Sequence, residues 1–220
     1  MSLELSGTTG VKGVAGSVSA PSIVGDDTNT GISFPSADTI KFSTGGVERM
    51  AITNSGVSGV GGKILQVLQA TKTDTETFSL TTQTVYQYTN LSVSITPSAT
   101  DSKILVIMQL TICTDAPEKG HYGVQRTIGG SSATSIGVGD AAGSRKRFGG
   151  GQTLVGNPAT TVNYSFLDSP STTSACVYYP ILGHDSSVTK TFHVNRSSGD
   201  SDSGQNARYM SSIIVQEVGA

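Results

Sequence analysis

The residues of this chain that could do chemistry are few and scattered. Its histidines are His121, His184 and His193. Asp185 follows His184 directly, but a nucleophile–base–acid relay is assembled from members that converge from separate elements. No Gly-x-Ser-x-Gly elbow is present to strain a serine into a nucleophile. Asp200-Ser201-Asp202-Ser203-Gly204 places carboxylates at alternate positions, as a calcium loop begins, yet its twelfth position is Ser211 where an acid is needed. Glu76, Asp101 and Asp115 show no converging pattern. Cys113 and Cys176 are far apart and have no partners at metal-ligand spacing, which reads as two buried free thiols. A disulfide between them would require neighbouring strands. The expectation is a protein without catalytic residues, metal ligands or cofactor, and not an enzyme.

One cluster stands out as a means of recognition. Arg145-Lys146-Arg147-Phe148 gathers three cations and a ring inside a glycine-rich break, where it reads either as a solvated loop or as a grip on a polyanionic surface glycan or an acidic neighbour. The seven tyrosines include the adjacent Tyr178 and Tyr179, which must face opposite sides of a strand, so that one is core and the other exposed or at an interface. The net charge of -2 gives no overall attraction to nucleic acid. No apolar run approaches the ~20 residues of a membrane helix. The start, Met1-Ser2-Leu3-Glu4-Leu5, lacks the basic and apolar parts of a secretory signal, so assembly in a cytoplasm is expected.

The elements that must position these residues are strands. Charged residues make up only 14% of the chain, so Ser, Thr, Asn and the 27 Gly must supply its surface, a composition suited to pleated sheet and tight turns. Leu91, Val93 and Ile95 alternate with Ser92 and Ser94 before Pro97. Val162, Tyr164 and Phe166 alternate too, as do Tyr122, Val124, Arg126 and Ile128. Residues 104–113 (ILVIMQLTIC) are apolar on both sides and read as a central strand. Strands are also expected at 63–71, around Phe192 and Val194, and at 209–218. Ala175 to Ile181 is another, with Pro180 pointing to an edge or a bulge. No segment has helical periodicity. Eight or so strands with turns between them indicate a jelly-roll-like β-sandwich from residue 62 to 220, broken by glycine-rich stretches at 136–160 and 197–206.

The first sixty residues pose a different problem. Residues 1–30 look like an extended segment, the first 20 of them without a fold of their own. Strands at about 38–43 and 47–53, joined at Gly45-Gly46, make a hairpin, but an isolated hairpin is at best marginal in water. It is either disordered until it binds or buries its apolar side against copies of itself. The stretch 31–56, GISFPSADTIKFSTGGVERMAITNSG, resembles a short repeat of bacteriophage tail-fibre and related virion proteins, through Ile32-Ser33-Phe34-Pro35, Asp38-Thr39-Ile40, Ser43-Thr44-Gly45-Gly46 and Glu48-Arg49-Met50. Pieces of the remainder are similar to the heads of marine-phage virion proteins, among them Gly62 to Val67, Leu91 to Pro97, Ser135 to Asp140, Phe166 to Pro170, Asn195-Arg196 and Ile213 to Ala220.

The resemblance implies a homotrimer in which Ile32, Phe34, Ile40, Phe42, Met50 and Ile52 of residues 31–61 face a common axis as a short stem. It implies that residues 1–30 anchor to other virion proteins and that the head contributes to host-surface attachment, with a surface glycan as the class of receptor. A short tail fibre or fibre tip is the first expectation. A capsid-surface decoration protein is the alternative, and a glycan-degrading spike a more distant one. A single repeat and no self-cleaving C-terminal domain depart from long fibres.

Overall fold

The computed structural model describes residues 4–6, 10–12, 15–59, 63–81 and 85–219. All of the regular structure in these residues is β, and every strand pairing is antiparallel. The chain divides into two compact units, Met1–Gly62 and Lys63–Ala220.

In the first unit, β1 (Glu4–Ser6) pairs with β2 (Gly10–Lys12). A five-stranded meander follows: β3 (Ile23–Val24), β4 (Gly31–Ser33), β5 (Ile40–Thr44), β6 (Val47–Thr53) and β7 (Gly56–Ser58). The hairpin expected at Gly45-Gly46 is there, with both glycines at positive φ. The extended description of residues 1–30 does not hold, since β1 pairs with β2 and the later part joins the meander. Ile23 pairs with Ile32, Ser22 N–H donates to the Ile32 carbonyl, and Phe34 N–H donates to the Ala15 carbonyl. These residues lack apolar alternation, so only tertiary pairing reveals them as sheet.

The second unit contains β8 (Ile64–Lys72), β9 (Glu76–Leu80), β10 (Tyr86–Gln87), β11 (Val93–Ile95), β12 (Lys103–Thr114), β13 (Glu118–Ile128), β14 (Thr134–Ile136), β15 (Gly150–Leu154), β16 (Thr160–Asp168), β17 (Cys176–His184), β18 (Lys190–Val194) and β19 (Ser211–Val218). In one sheet β12 pairs with β16 on one side and with β19 and β18, end to end, on the other. β8 and β9 flank β19 and β18 in turn. In the facing sheet β17 pairs with β13 on one side and with β10 and β11, end to end, on the other. β14 and β15 share the far side of β13. Each sheet therefore has four strand positions. The second unit alternates between them so that its first and last strands, β8 and β19, lie side by side, which is a jelly roll.

Strand β12 shows why the sequence folds this way. Ile104, Val106, Met108 and Leu110 are completely buried and meet Val124, Tyr178 and Leu182 of the other sheet in one core. Leu105, Ile107 and Gln109 alternate outward. Several polar groups inside the sandwich tie its strands together. Arg126 pairs with Asp168, which also accepts from Tyr178 Oη at 2.8 Å. Asn195, at φ 58°, ends β18; its amide donates to the Lys72 and Asp74 carbonyls, and its own carbonyl accepts from Ser211 Oγ.

Three local expectations are corrected. Gly150–Leu154, inside the supposed break, is a strand; a Cβ at Gly150 would lie 2.6 Å from the Tyr122 ring, its cross-strand neighbour, so the aromatic takes the space a side chain would fill. Pro180 sits mid-strand in β17, neither at an edge nor in a bulge. Its carbonyl accepts from Tyr88 N–H, so its missing donor points the same way, into the gap between β10 and β11. Tyr179 is buried like Tyr178, at 5% and 0% exposure, because the outward side of β17 is itself covered. Cys113 and Cys176 are free and buried in opposite sheets.

Candidate functional site

The segment from Gly137 to Gly149 links β14 to β15 and passes over the outward side of β13. Gly149 N–H donates to the Tyr122 carbonyl at 2.9 Å. Phe148 stacks on His121, ring centroids 5.1 Å apart and planes 24° from parallel. This packing leaves a cleft of about 570 Å³ lined by His121, Ser144, Arg145, Lys146, Phe148, Gly150, His184 and Asp185. Of the basic cluster read from the sequence, Arg145, Lys146 and Phe148 line it and Arg147 does not.

The electrostatics of the cleft are unbalanced. Arg145 and Lys146 are exposed and have no carboxylate partner among the described residues. Asp185 is already answered by Lys119 at 3.3 Å; desolvation pulls its pKa upward, but the Lys119 hydrogen bond and charge hold it below the ordinary value. Beneath them Glu118 is neutralised by Lys190 at 2.9 Å. His184 is 3% exposed and sits 3.2 Å from the Leu80 carbonyl through Nε2, while its Nδ1 is buried without a partner. A carbonyl can only accept, so Nε2 carries the hydrogen. In the neutral ring Nδ1 is then a bare acceptor.

The six stem residues share one face of the first unit's meander. Ile32, Phe42 and Met50 are directly paired across β4, β5 and β6, Ile40 pairs with Ile52, and Phe34 lines a shallow depression with Ile40 and Ile52. Sequence reasoning missed two more members, Ile23 beside Ile32 and Val57 beside Ile52. The burial runs opposite to that of an ordinary sheet. Small residues are buried on the other face, with Ser33 at 0%, Ser43 at 3% and Ala51 at 3%. The apolar face stays open, with Ile23 at 56%, Val57 at 50%, Phe34 at 41% and Ile52 at 37%. In the second unit Val67, Leu105, Ile107, Leu167 and Ile214 likewise share the outward face of the β12 sheet.

A third cluster contradicts the sequence reading that Asp115 and Glu76 converge on nothing. His193 Nε2 lies 2.6 Å from Asp115 Oδ1, and its Nδ1 lies 3.1 Å from Thr77 Oγ1. That orders acid, imidazole and hydroxyl as a hydrolytic relay does, but Arg196 Nη2 sits 2.8 Å from the same Nδ1. A guanidinium only donates, so it occupies the lone pair that would take the hydroxyl proton. Glu76 accepts from Tyr88 Oη and Asn90 at 2.7 Å each and pairs with Lys72, a structural tie. Asp200 of the supposed calcium loop is held by Arg208 at 2.6 Å.

No family model matches the chain, and no curated protein matches it in sequence. Among solved structures the chain is similar to that of the infectious bursal disease virus Gx strain (TM-score 0.38, 10% identity, 74% of this chain and 43% of that one). It is also similar to that of the Gt strain (0.37, 10%, 83% and 48%) and to the VP2 subviral particle of the same virus (0.36, 8%, 82% and 51%). The chain spans about half the length of those chains, and identity and TM-score are too low for the likeness to carry a functional reading.

Proposed function

We propose that this chain is a non-catalytic structural component of a bacteriophage virion, a short tail fibre or fibre tip. Its first unit is a trimerising stem, and its jelly roll is a head turned toward the host surface. The observation that carries the reading is the open apolar face formed by Ile23, Ile32, Phe34, Ile40, Phe42, Met50, Ile52 and Val57. Fully burying one such side chain is worth ~1.5–3 kcal/mol, so a half-buried one retains roughly 1 kcal/mol to gain from a partner. Sister chains supply that partner in identical form, and a closed symmetric assembly leaves no unpaired copy of the face. The resemblance of residues 31–56 to a fibre repeat supports a threefold arrangement and a place on the particle, with residues 1–30 toward the other virion proteins.

The test is a charged substitution on the open face. Ile52→Asp should convert the protein to monomers in native mass spectrometry and remove it from purified particles of the phage that encodes it. The head should keep its cooperative melting. Particles that carry the variant at normal copy number contradict the proposal, as does wild-type protein missing from particles altogether.

A further inference from the structure

We infer that the cleft beside β13, β15 and β17 binds a saccharide bearing a carboxylate or sulfate, with Arg145 and Lys146 on the anion and Phe148 and His121 against the sugar face. The proposal deepens the surface-attachment part of the reading above and rests on it only for where such a sugar is met.

Three features of the cleft narrow the ligand class. A volume of about 570 Å³ suits a molecule of one to three rings rather than a bare ion. Arg145 and Lys146 leave two positive charges without protein partners, whereas the single carboxylate of the wall, Asp185, is held by Lys119. A neutral sugar would leave those cations unused. The stacked Phe148–His121 pair offers an apolar wall beside them, against which the C–H face of a pyranose packs and for which inorganic phosphate has no use. Nucleic acid fits less well, because the cations form one short cluster on a chain of net charge -2.

Isothermal titration calorimetry on the full chain tests this with four probes: trigalacturonate, maltotriose, sodium phosphate and a short oligoglutamate peptide. Trigalacturonate should bind, at least about tenfold tighter than each of the other three, with an affinity that falls as salt is raised. The double variant Arg145→Ala/Lys146→Ala and the single variant Phe148→Ala should each weaken it by about tenfold or more, with thermal melting unchanged. Equal binding of maltotriose or of phosphate overturns the proposal, as does tighter binding of oligoglutamate, which would mark a protein partner instead. Absence of trigalacturonate binding at about 10 mM also overturns it. Such a failure with normal oligomers and normal particle incorporation refutes the site alone. Loss of assembly with sugar binding intact refutes the stem reading alone.

Discussion

Replacing Glu217 by the isosteric Gln should destabilise this fold strongly. Glu217 is completely buried near the end of β19, and its carboxylate joins the two sheets. One oxygen accepts from Ser98 N–H at 2.7 Å and Ser98 Oγ at 2.6 Å, in the turn that leaves β11; the other accepts from Gln66 Nε2 at 2.6 Å. Burial alone would raise its pKa, but the hydrogen bonds from Ser98 and Gln66 outweigh that and hold it below the ordinary 4.5. In Glu217→Gln the new carbonyl can keep Ser98, but the new NH2 then meets the Gln66 NH2. Flipping Gln66 does not help, because its Nε2 also donates to the Thr96 carbonyl at 2.8 Å. One unsatisfied donor or acceptor and the loss of charge assistance together come to about 3 kcal/mol. For a domain of this size that is roughly 6–12 °C in Tm. The sign with pH follows from the lowered pKa. The stabilisation is fully present above the unfolded value of about 4.3 and is lost as pH falls through the folded value, so the gap between wild type and variant should narrow on acidification. Differential scanning calorimetry at pH 7 and at pH 3, at one protomer concentration, measures both. A gap below about 0.5 kcal/mol at pH 7, or one that widens at pH 3, refutes the reasoning.

Other outcomes follow from the same interior. Asp168→Ala strands the Arg126 guanidinium, whose side chain is only 13% exposed, and should destabilise by about 3–5 kcal/mol in urea denaturation, whereas Arg126→Met with Asp168→Leu should recover most of it. Gly137→Ala demands a left-handed residue at φ 54° and drives a Cβ into the Tyr164 hydroxyl, which donates to the Ile136 carbonyl at 2.7 Å; a loss of about 2 kcal/mol or more is expected in the same assay. Burial pushes the Cys113 thiol up to about 11 and raises that of Cys176. Neither should react with a disulfide reagent at pH 8 until guanidinium unfolds the chain, when both should.

The sandwich was legible because its central strands advertise themselves. The alternation of Val162, Tyr164 and Phe166 and the apolar run of β12 read directly as pleat. Gly150–Leu154 did not, since its cross-strand partners provide the bulk that its own glycines lack. Glu76–Leu80 is too polar to stand out from a loop, yet it pairs along the whole of β18. For the cleft, Arg145, Lys146 and Phe148 were visible as a cluster, but His121 and His184-Asp185 reach it only through the register of β13 with β15 and β17. The Asp115–His193–Thr77 grouping was invisible for the same reason: His193 faces Thr77 on one side and Cys113 on the other, neighbours that no spacing in the chain encodes. The stem's six apolar positions were readable as one face by their period of two; that this face would be the open one required the burial of Ser33, Ser43 and Ala51 behind it.

Sedimentation equilibrium of the purified full chain, combined with hydrogen exchange across residues 15–59, bears most directly on the stem. A mass three times the 22.6 kDa of one chain, with amides of β4, β5 and β6 that lose protection as dilution dissociates it, is the expected result. A monomer whose β4–β6 amides stay protected would mean that the open apolar face needs no sister chain.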